Sequence, residues 1–465
     1  MPLKKIKNRD KIQTGKEVAM NLPNNVLYIL NRLKACGYEA YIVGGCVRDA
    51  LMGIPPHDYD ITTSATPEEV EEVFVHLHVI KTGLKHGTVT VMLEGEPYEI
   101  TTFRVESGYS DNRHPDSVSF TNSLAEDLSR RDFTVNAMAY NPDVGVVDLF
   151  GGRADIEGKV LRCVGDPTLR FTEDALRILR LLRFASVLGF QIDESTAVAA
   201  RELKERLSYV SAERIAAELC KLIVGKGAGS VLKEYVEILG VAIPELLPMK
   251  DFDQKNYHHV YDVLTHTAVA VDSAPAEKCI RLAALFHDIG KPTVFSVDEK
   301  GIGHFYGHAS VSASMTETIL TRLKFDNVTK SIVFRLVKWH DWVIEPTEPV
   351  VKKALGKMTP EFFRSLVLLK RADNLAQSPV YHTRQAEYDR LEAVANKILD
   401  EQECFSLKDL EVKGADLLAL GVPQGKSIGL LLNRLLDAVI NREVENNKEA
   451  LLEKAMKWRF DCNGK

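Results

Sequence analysis

The stretch that most constrains this chain is Gly44-Gly45-Cys46-Val47-Arg48-Asp49, followed after a short linker by Asp58-Tyr59-Asp60-Ile61. Residues 39–43 are apolar enough for a buried strand, and the strand breaks at the glycine pair. Residues 47–52 then suit one or two helical turns closed by Gly53. Such a corner lets the main chain approach a triphosphate, presents helix-start N–H groups to an anion and adds the guanidinium fork of Arg48. Pro55-Pro56-His57 forces a turn, after which a strand through Asp58, Asp60 and Thr62 puts both carboxylates on one face. Like charges placed side by side call for a cation between them, and oxygen-seeking Mg2+ fits. Either element alone is ordinarily a tight turn or a turn aspartate. Their close succession points to nucleotidyl transfer.

Further runs follow in order. Residues 128–139 read Leu-Ser-Arg-Arg-Asp-Phe-Thr-Val-Asn-Ala-Met-Ala, and residues 148–152 read Asp-Leu-Phe-Gly-Gly. Glu173-Asp174-Ala175-Leu176-Arg177 and Ser211-Ala212-Glu213-Arg214-Ile215 come next. Asp174, Arg177, Arg180 and Arg183 recur every third residue, so a single helix from Phe171 onwards would carry them as one polar row, with Leu176, Leu179, Leu181 and Leu182 on its packed side. An aspartate that accepts and an arginine that donates could read the Watson–Crick edge of cytosine or adenine. A solvated helix face with ion pairs is the plainer reading of the row alone.

Together with the glycine corner and the paired aspartates, these runs resemble the class II tRNA nucleotidyltransferases, which include CCA-adding enzymes and bacterial poly(A) polymerases. The resemblance spans about the first half of the chain. It implies that Gly44, Gly45, Arg48, Arg131, Asp132, Asn136, Asp174, Arg177, Arg180 and Arg183 bind the nucleotide, and that Asp58 and Asp60 hold Mg2+ as catalytic residues. Glu99 is a candidate third carboxylate. It could also polarise Arg177 or Arg180, or simply face solvent. The implied reaction is template-independent addition of CMP and AMP, from CTP and ATP, to the tRNA acceptor end by two-metal in-line displacement. An A-adding enzyme or a poly(A) polymerase shares every motif, and a hydrolase with a non-catalytic RNA-binding head is the alternative from another class.

A second constellation holds His258, His259, His266, His287-Asp288, His308, His340-Asp341 and Asp373. The run Leu282-Ala283-Ala284-Leu285-Phe286-His287-Asp288-Ile289-Gly290-Lys291-Pro292 puts His287 and Asp288 at the end of an apolar helix, where a charge needs a partner. Imidazole with carboxylate suits a transition metal. This stretch resembles the HD phosphohydrolase superfamily, which implies His266, His287, Asp288 and Asp373 as ligands of one metal, Mn2+ or Ni2+, with His308 and His340 available for a second. Such a domain either hydrolyses phosphates at RNA 3′ ends, 2′,3′-cyclic phosphates included, or persists as an RNA-binding scaffold.

The expected fold class is α+β: a small nucleotidyltransferase head with a mixed sheet, then an all-helical neck, body, HD domain and tail. The expected boundaries are 1–152 for the head, 153–250 for a neck and body with RNA-binding surface, 251–385 for the HD domain and 386–465 for a tRNA-binding tail. In the head, Asn24–Ala35 is helical, Thr66-Pro67-Glu68-Glu69 is a capping box, and strands at 88–93 and 98–104 form a hairpin over 94–97. Residues 107–117 read as a mobile loop, which in the family helps the change from CTP to ATP. From about Gly165 the strand signal fades. The tail run 414–426 resembles the segment that holds the tRNA elbow.

At 465 residues the chain is too long for one core. It has no apolar run near the roughly 20 residues that span a bilayer, and its lysine-rich start lacks the apolar segment of a secretion signal. Its 7 cysteines are scattered without a close pair, which suits a reducing cytoplasm. With a net charge of -6, any RNA surface must be a local patch; the arginine row and residues 201–206, 221–226 and 352–357 are candidates.

Overall fold

The computed structural model describes residues 20–108, 117–257 and 260–462. The lysine-rich start, most of the loop expected at 107–117, and His258 and His259 lie outside them. The chain separates into two compact units, Met1–Gly227 with Glu237–Pro244, and Ala228–Val236 with Glu245–Lys465.

The first unit is built on a sheet ordered β3-β4-β5-β2-β1-β8-β9. Its strands are β1 (Ala40–Val43), β2 (Ile61–Thr63), β3 (His78–Gly83), β4 (Thr88–Leu93), β5 (Glu96–Thr102), β8 (Met138–Asn141) and β9 (Gly145–Asp148); β6 (Arg104–Ser107) and β7 (Ser117–Phe120) form a separate ribbon. The pairing is antiparallel except between β2 and β5, so the sheet is mixed, as expected. Residues of β1 are buried throughout, as a central strand requires. Helix Asn24–Ala35 buries Val26, Ile29, Leu30 and Leu33, one face at helical spacing, in the head core with Ile42, Ile61, Val89 and Ile100. The capping box forms as read, with Thr66 accepting from Glu69 N and Glu69 from Thr66 N.

Two expectations about strands change. The hairpin turn is only Glu94-Gly95, with φ of 54° and 87°, and Leu93 pairs directly with Glu96, because two left-handed residues match the strand twist. Asp58 and Asp60 are not inside a strand. β2 begins at Ile61, and both aspartates lie on the extended approach to it, where the Asp60 carbonyl accepts from Val43 N at 3.0 Å. They therefore occupy the rim of the sheet beside Gly44.

Beyond β9 the unit is helical apart from one small parallel pair, Val160–Leu161 with Gln191–Ile192. That pair departs from the expectation of a strand-free neck. In the second unit the helices Val263–Ser273, Lys278–Phe286, His308–Arg322, Asn327–Trp339 and Pro360–Leu375 assemble around the histidines. Among the described residues the exception to all-helical is a ribbon of Ser296–Val297 against Gly303–His304. The tail helices have their own apolar cluster, including Leu410, Val412, Leu417, Leu435 and Leu451. No helix among the described residues is long and apolar enough to cross a membrane.

Candidate active site

The end of β1 turns at Gly44, whose φ of 81° favours glycine, and a Cβ there would stand 3.3 Å from Arg131 Nη1. Helix Gly45–Leu51 follows and carries Arg48, which is buried and donates from Nη1 to Asn136 Oδ1 at 2.6 Å and from Nε to Asp49 Oδ1 at 2.8 Å. The parallel register Ile61↔Ile100 sets Glu99 alongside Asp60. Asp60 reports this crowding: protein packed against its inner side, then the charges of Asp58 and Glu99, raise its pKa, while Arg131 pulls it back. Three carboxylates with one guanidinium among them leave the rim short of positive charge. A divalent cation with oxygen ligands fits that deficit.

The arginine row does not ride on one helix. Helix Pro167–Glu173 ends at Asp174, whose extended backbone breaks the run before Leu176–Phe184 begins. The Asp174 carboxylate causes this locally, taking Leu176 N at 3.0 Å as a helix-capping aspartate does. Its second oxygen accepts from Arg214 Nη2 at 3.0 Å. Arg177 donates to Glu173 Oε2 at 2.6 Å and to the Arg130 carbonyl at 3.0 Å, and Arg180 Nε to Asp132 Oδ2 at 2.8 Å. Arg177 and Arg180 are thus held by other partners, while Glu99 is exposed and its charge acts on Asp60. Arg183 pairs with buried Glu218 at 3.1 Å.

Three guanidinia, those of Arg48, Arg180 and Arg183, stand 5.2, 5.5 and 4.1 Å from the ring of Phe184. Asp132 lies inside this basic shell. Burial would raise its pKa, but the Arg180 charge and hydrogen bond overcome that and hold it at about 2. Its other oxygen takes Asn136 Nδ2 at 3.1 Å, so Asp132 and Asn136 brace the arginines from within.

Sequence reasoning missed Asp127, Arg214 and Glu218 as members of this network. Fully buried Asp127 binds Arg130 at 2.7 Å and Arg131 at 3.2 Å. Its position one residue before the run at 128–139 was the available signal. Glu218 shares the buried side of helix Ala212–Ile223 with Ile215, Leu219 and Leu222, where a charge must have a partner.

In the second unit His287 caps helix Lys278–Phe286, as expected, and the predicted ligands converge. His266 Nε2 lies 3.2 Å from His287 Nε2, 3.3 Å from Asp288 Oδ2 and 3.0 Å from Asp373 Oδ1. His308 and His340 face each other at 3.2 Å and approach Asp288 Oδ1 at 3.5 and 3.9 Å. Asp288 thus belongs to two candidate metal-holding groups, His266-His287-Asp288 and Asp288-His308-His340, a sharing the sequence reading did not specify. Asp341 is exposed and stands in neither group.

Each of the four rings gives Nδ1 to a main-chain carbonyl: Ala376 at 3.1 Å, Ala284 at 2.8 Å, Phe305 at 2.9 Å and Val337 at 2.6 Å. A carbonyl only accepts, so Nδ1 carries the hydrogen in each ring and Nε2 is the atom turned inward, where a metal would take it as a ligand. Asp288 Oδ2, although 2.8 Å from Lys291 Nζ, makes no well-directed hydrogen bond. Imidazole nitrogens and carboxylate oxygens converging on one point are a donor set for a transition metal.

A mixed sheet with a glycine corner, three rim carboxylates and a shell of arginines defines a nucleotidyltransferase head. Residues 40–162 match the family described as poly A polymerase head domain, 189–246 the probable RNA and SrmB-binding site of polymerase A, and 297–455 the putative tRNA nucleotidyltransferase domain 2. The chain is 35% identical over 424 residues to the CCA-adding enzyme of Lactobacillus helveticus, covering 91% of this chain and 94% of that one. With the CCA-adding enzyme of Leuconostoc citreum it shares 34% over 432 residues, 92% and 94% of the two chains. The crystal structure of the Bacillus stearothermophilus CCA-adding enzyme in complex with CTP aligns with a TM-score of 0.72 at 30% identity, covering 94% of this chain and 98% of that one. The Thermotoga maritima CCA-adding enzyme complexed with tRNA shares the fold, with a TM-score of 0.55 at 20% identity over 94% of this chain and 96% of that one. Coverage of nearly the whole length by such relatives places the chain in the CCA-adding enzyme family.

Proposed function

We propose that the chain builds and repairs the CCA end of tRNA, adding CMP and AMP from CTP and ATP without a template. The observation that carries this reading is the meeting of Asp58, Asp60 and Glu99 at the sheet rim beside the Gly44-Gly45 corner. A head that only bound RNA would have no use for such a cluster. Asp58 and Asp60, with Glu99, hold Mg2+. When bound, the magnesium raises the acidity of the RNA 3′-hydroxyl and steadies the charge of departing pyrophosphate. Gly44 and Gly45 admit the triphosphate to the main chain, and Arg48, Arg131, Arg180 and Arg183 neutralise it. Asp174 and Arg177 present acceptor and donor to the Watson–Crick edge, and Arg214 fixes the oxygen of Asp174 that the cap leaves over. The attacking oxygen bonds to the α-phosphorus as the bond to pyrophosphate breaks, with no covalent enzyme intermediate.

In this reading 1–152 is the catalytic head, 153–250 selects the base and contacts RNA, and 386–465 grips the body of the tRNA. The reaction takes place in the cytoplasm. The test is incubation with tRNA ending at the discriminator base and each labelled triphosphate. Ordered C, C, A addition that then stops supports the proposal; adenylate alone selects an A-adding enzyme, and long A tails a poly(A) polymerase.

A second activity is favoured by the converging imidazole and carboxylate groups of the histidine cluster in 251–385. His266, His287, Asp288 and Asp373 hold one transition metal, Mn2+ or Ni2+, and His308 and His340 with Asp288 a second, in a phosphohydrolase that restores free hydroxyls at RNA 3′ ends. Absence of phosphate release from 3′-phosphorylated and 2′,3′-cyclic RNA ends with either metal would overturn it.

A further inference from the structure

The chain between Lys291 and His308 carries an exposed aromatic platform. Tyr306 is 76% exposed, and its ring is stacked on that of His304 at 5.2 Å between centroids and 8° between planes. The support is rigid. His304 Nε2 is 3.0 Å from Asp298 Oδ2, and Asp298 Oδ1 accepts from Lys300 N and Ile302 N at 2.9 Å each, which ties the ribbon to its own turn. Phe305 packs inward on Phe295 at 5.3 Å and faces the Lys291 ammonium at 5.1 Å. Gly307, at φ 76°, then turns the chain so that helix His308–Arg322 begins with the histidine of the second metal-holding group. Two peptide units, about 3.8 Å each between Cα atoms, separate Tyr306 from that histidine along the chain.

Tyr306 is held by the His304 stack and leaves most of its surface open to water. Rigid support lowers the cost of binding a flat partner there. We propose that Tyr306 is the base platform of the histidine–aspartate site, so that its substrates are phosphate esters of nucleosides and RNA 3′ termini, not base-free phosphates. This rests on the hydrolase reading given above. In the hydrolysis, water adds its hydroxyl to phosphorus as one phosphorus–oxygen bond breaks, and its proton goes to the departing sugar oxygen.

The test uses the full chain with Mn2+ and two substrates carrying the same ester, adenosine 2′,3′-cyclic phosphate and 1-O-methylribose 2,3-cyclic phosphate. Tyr306→Ala is expected to lower kcat/KM for the nucleotide about tenfold, mainly through KM, as loss of one base stack does. The methyl riboside is expected to be unaffected, and Tyr306→Phe to retain wild-type behaviour. Unchanged nucleotide turnover in Tyr306→Ala, or equal loss on both substrates, overturns the platform. A second readout is independent of turnover. In metal-free protein the fluorescence of Tyr306→Trp is expected to be quenched by 3′-AMP beyond the wild-type baseline and not by ribose 3-phosphate, and no added quenching overturns the proposal. If wild type hydrolyses neither ester while Tyr306→Trp is still quenched, the hydrolase reading falls and the base platform stands.

Discussion

The rim of the head sheet and the histidine cluster of the second unit both crowd ionisable groups together, but they do so in opposite surroundings. Asp58, Asp60 and Glu99 are exposed carboxylates on the edge of a sheet, met by the guanidinium of Arg131. His266, His287, Asp288 and His340 are sealed among helices, and the Nδ1 atoms of the three histidines are already committed to main-chain carbonyls. An open carboxylate rim suits a hard cation that keeps water and arrives with a triphosphate. The sealed set suits a resident transition metal. The difference teaches that donor type and burial, more than the number of acidic residues, separate a site for exchange from a site for retention.

The sharpest way to break the comparison is to remove one carboxylate. Asp60→Asn should lower nucleotide addition about a thousandfold or more, the scale of losing a charge-stabilising group, while phosphate release by the second unit is unchanged. Parallel loss of both activities would show that the sites are not independent. Metal removal gives the next largest effect. Dialysis against a nitrogen-donor chelator should lower the thermal stability of the second unit, and metal restored at a hundred times its Kd should return about 3 kcal/mol, read by calorimetry. His287→Ala should abolish that response and leave CTP incorporation intact.

Acid sharpens the contrast within the head. The folded pKa of Asp132, about 2, is below its ordinary 3.8, so the Arg180 pair contributes stability above about pH 4 that is lost as pH falls through 2. Denaturant titrations of wild type should lose about 2 kcal/mol over that window, and Asp132→Asn should show a flatter profile. The smallest effect is on base choice. Arg214→Ala frees one oxygen of Asp174, and should lower discrimination between CTP and UTP about tenfold, more through misincorporation than through total rate, as loss of an orienting partner does.

Much of the head was legible because its signals are local. The glycine corner, the Asp58-Tyr59-Asp60 spacing, helix Asn24–Ala35 and the Thr66 capping box each depend on residues a few positions apart. Asp174 shows where local reading fails. The threefold recurrence of Asp174, Arg177, Arg180 and Arg183 fits an uninterrupted helix, and only the capping bond to Leu176 N reveals the break. Asp58 and Asp60 were placed in a strand because alternation does not say where pairing starts.

The sequence by itself determined the kinds of chemistry in this protein: paired carboxylates after a phosphate corner, a basic row, and histidines with an aspartate at a helix end. Those are matters of backbone stereochemistry over a few residues. Tertiary structure decided which groups share a site. The parallel β2–β5 pairing brings Glu99 to Asp60, and Arg214 comes to Asp174 when two helices pack. Asp288 is placed between two histidine pairs in the same way. Such meetings depend on sheet order and helix packing across tens of residues, which no local spacing encodes.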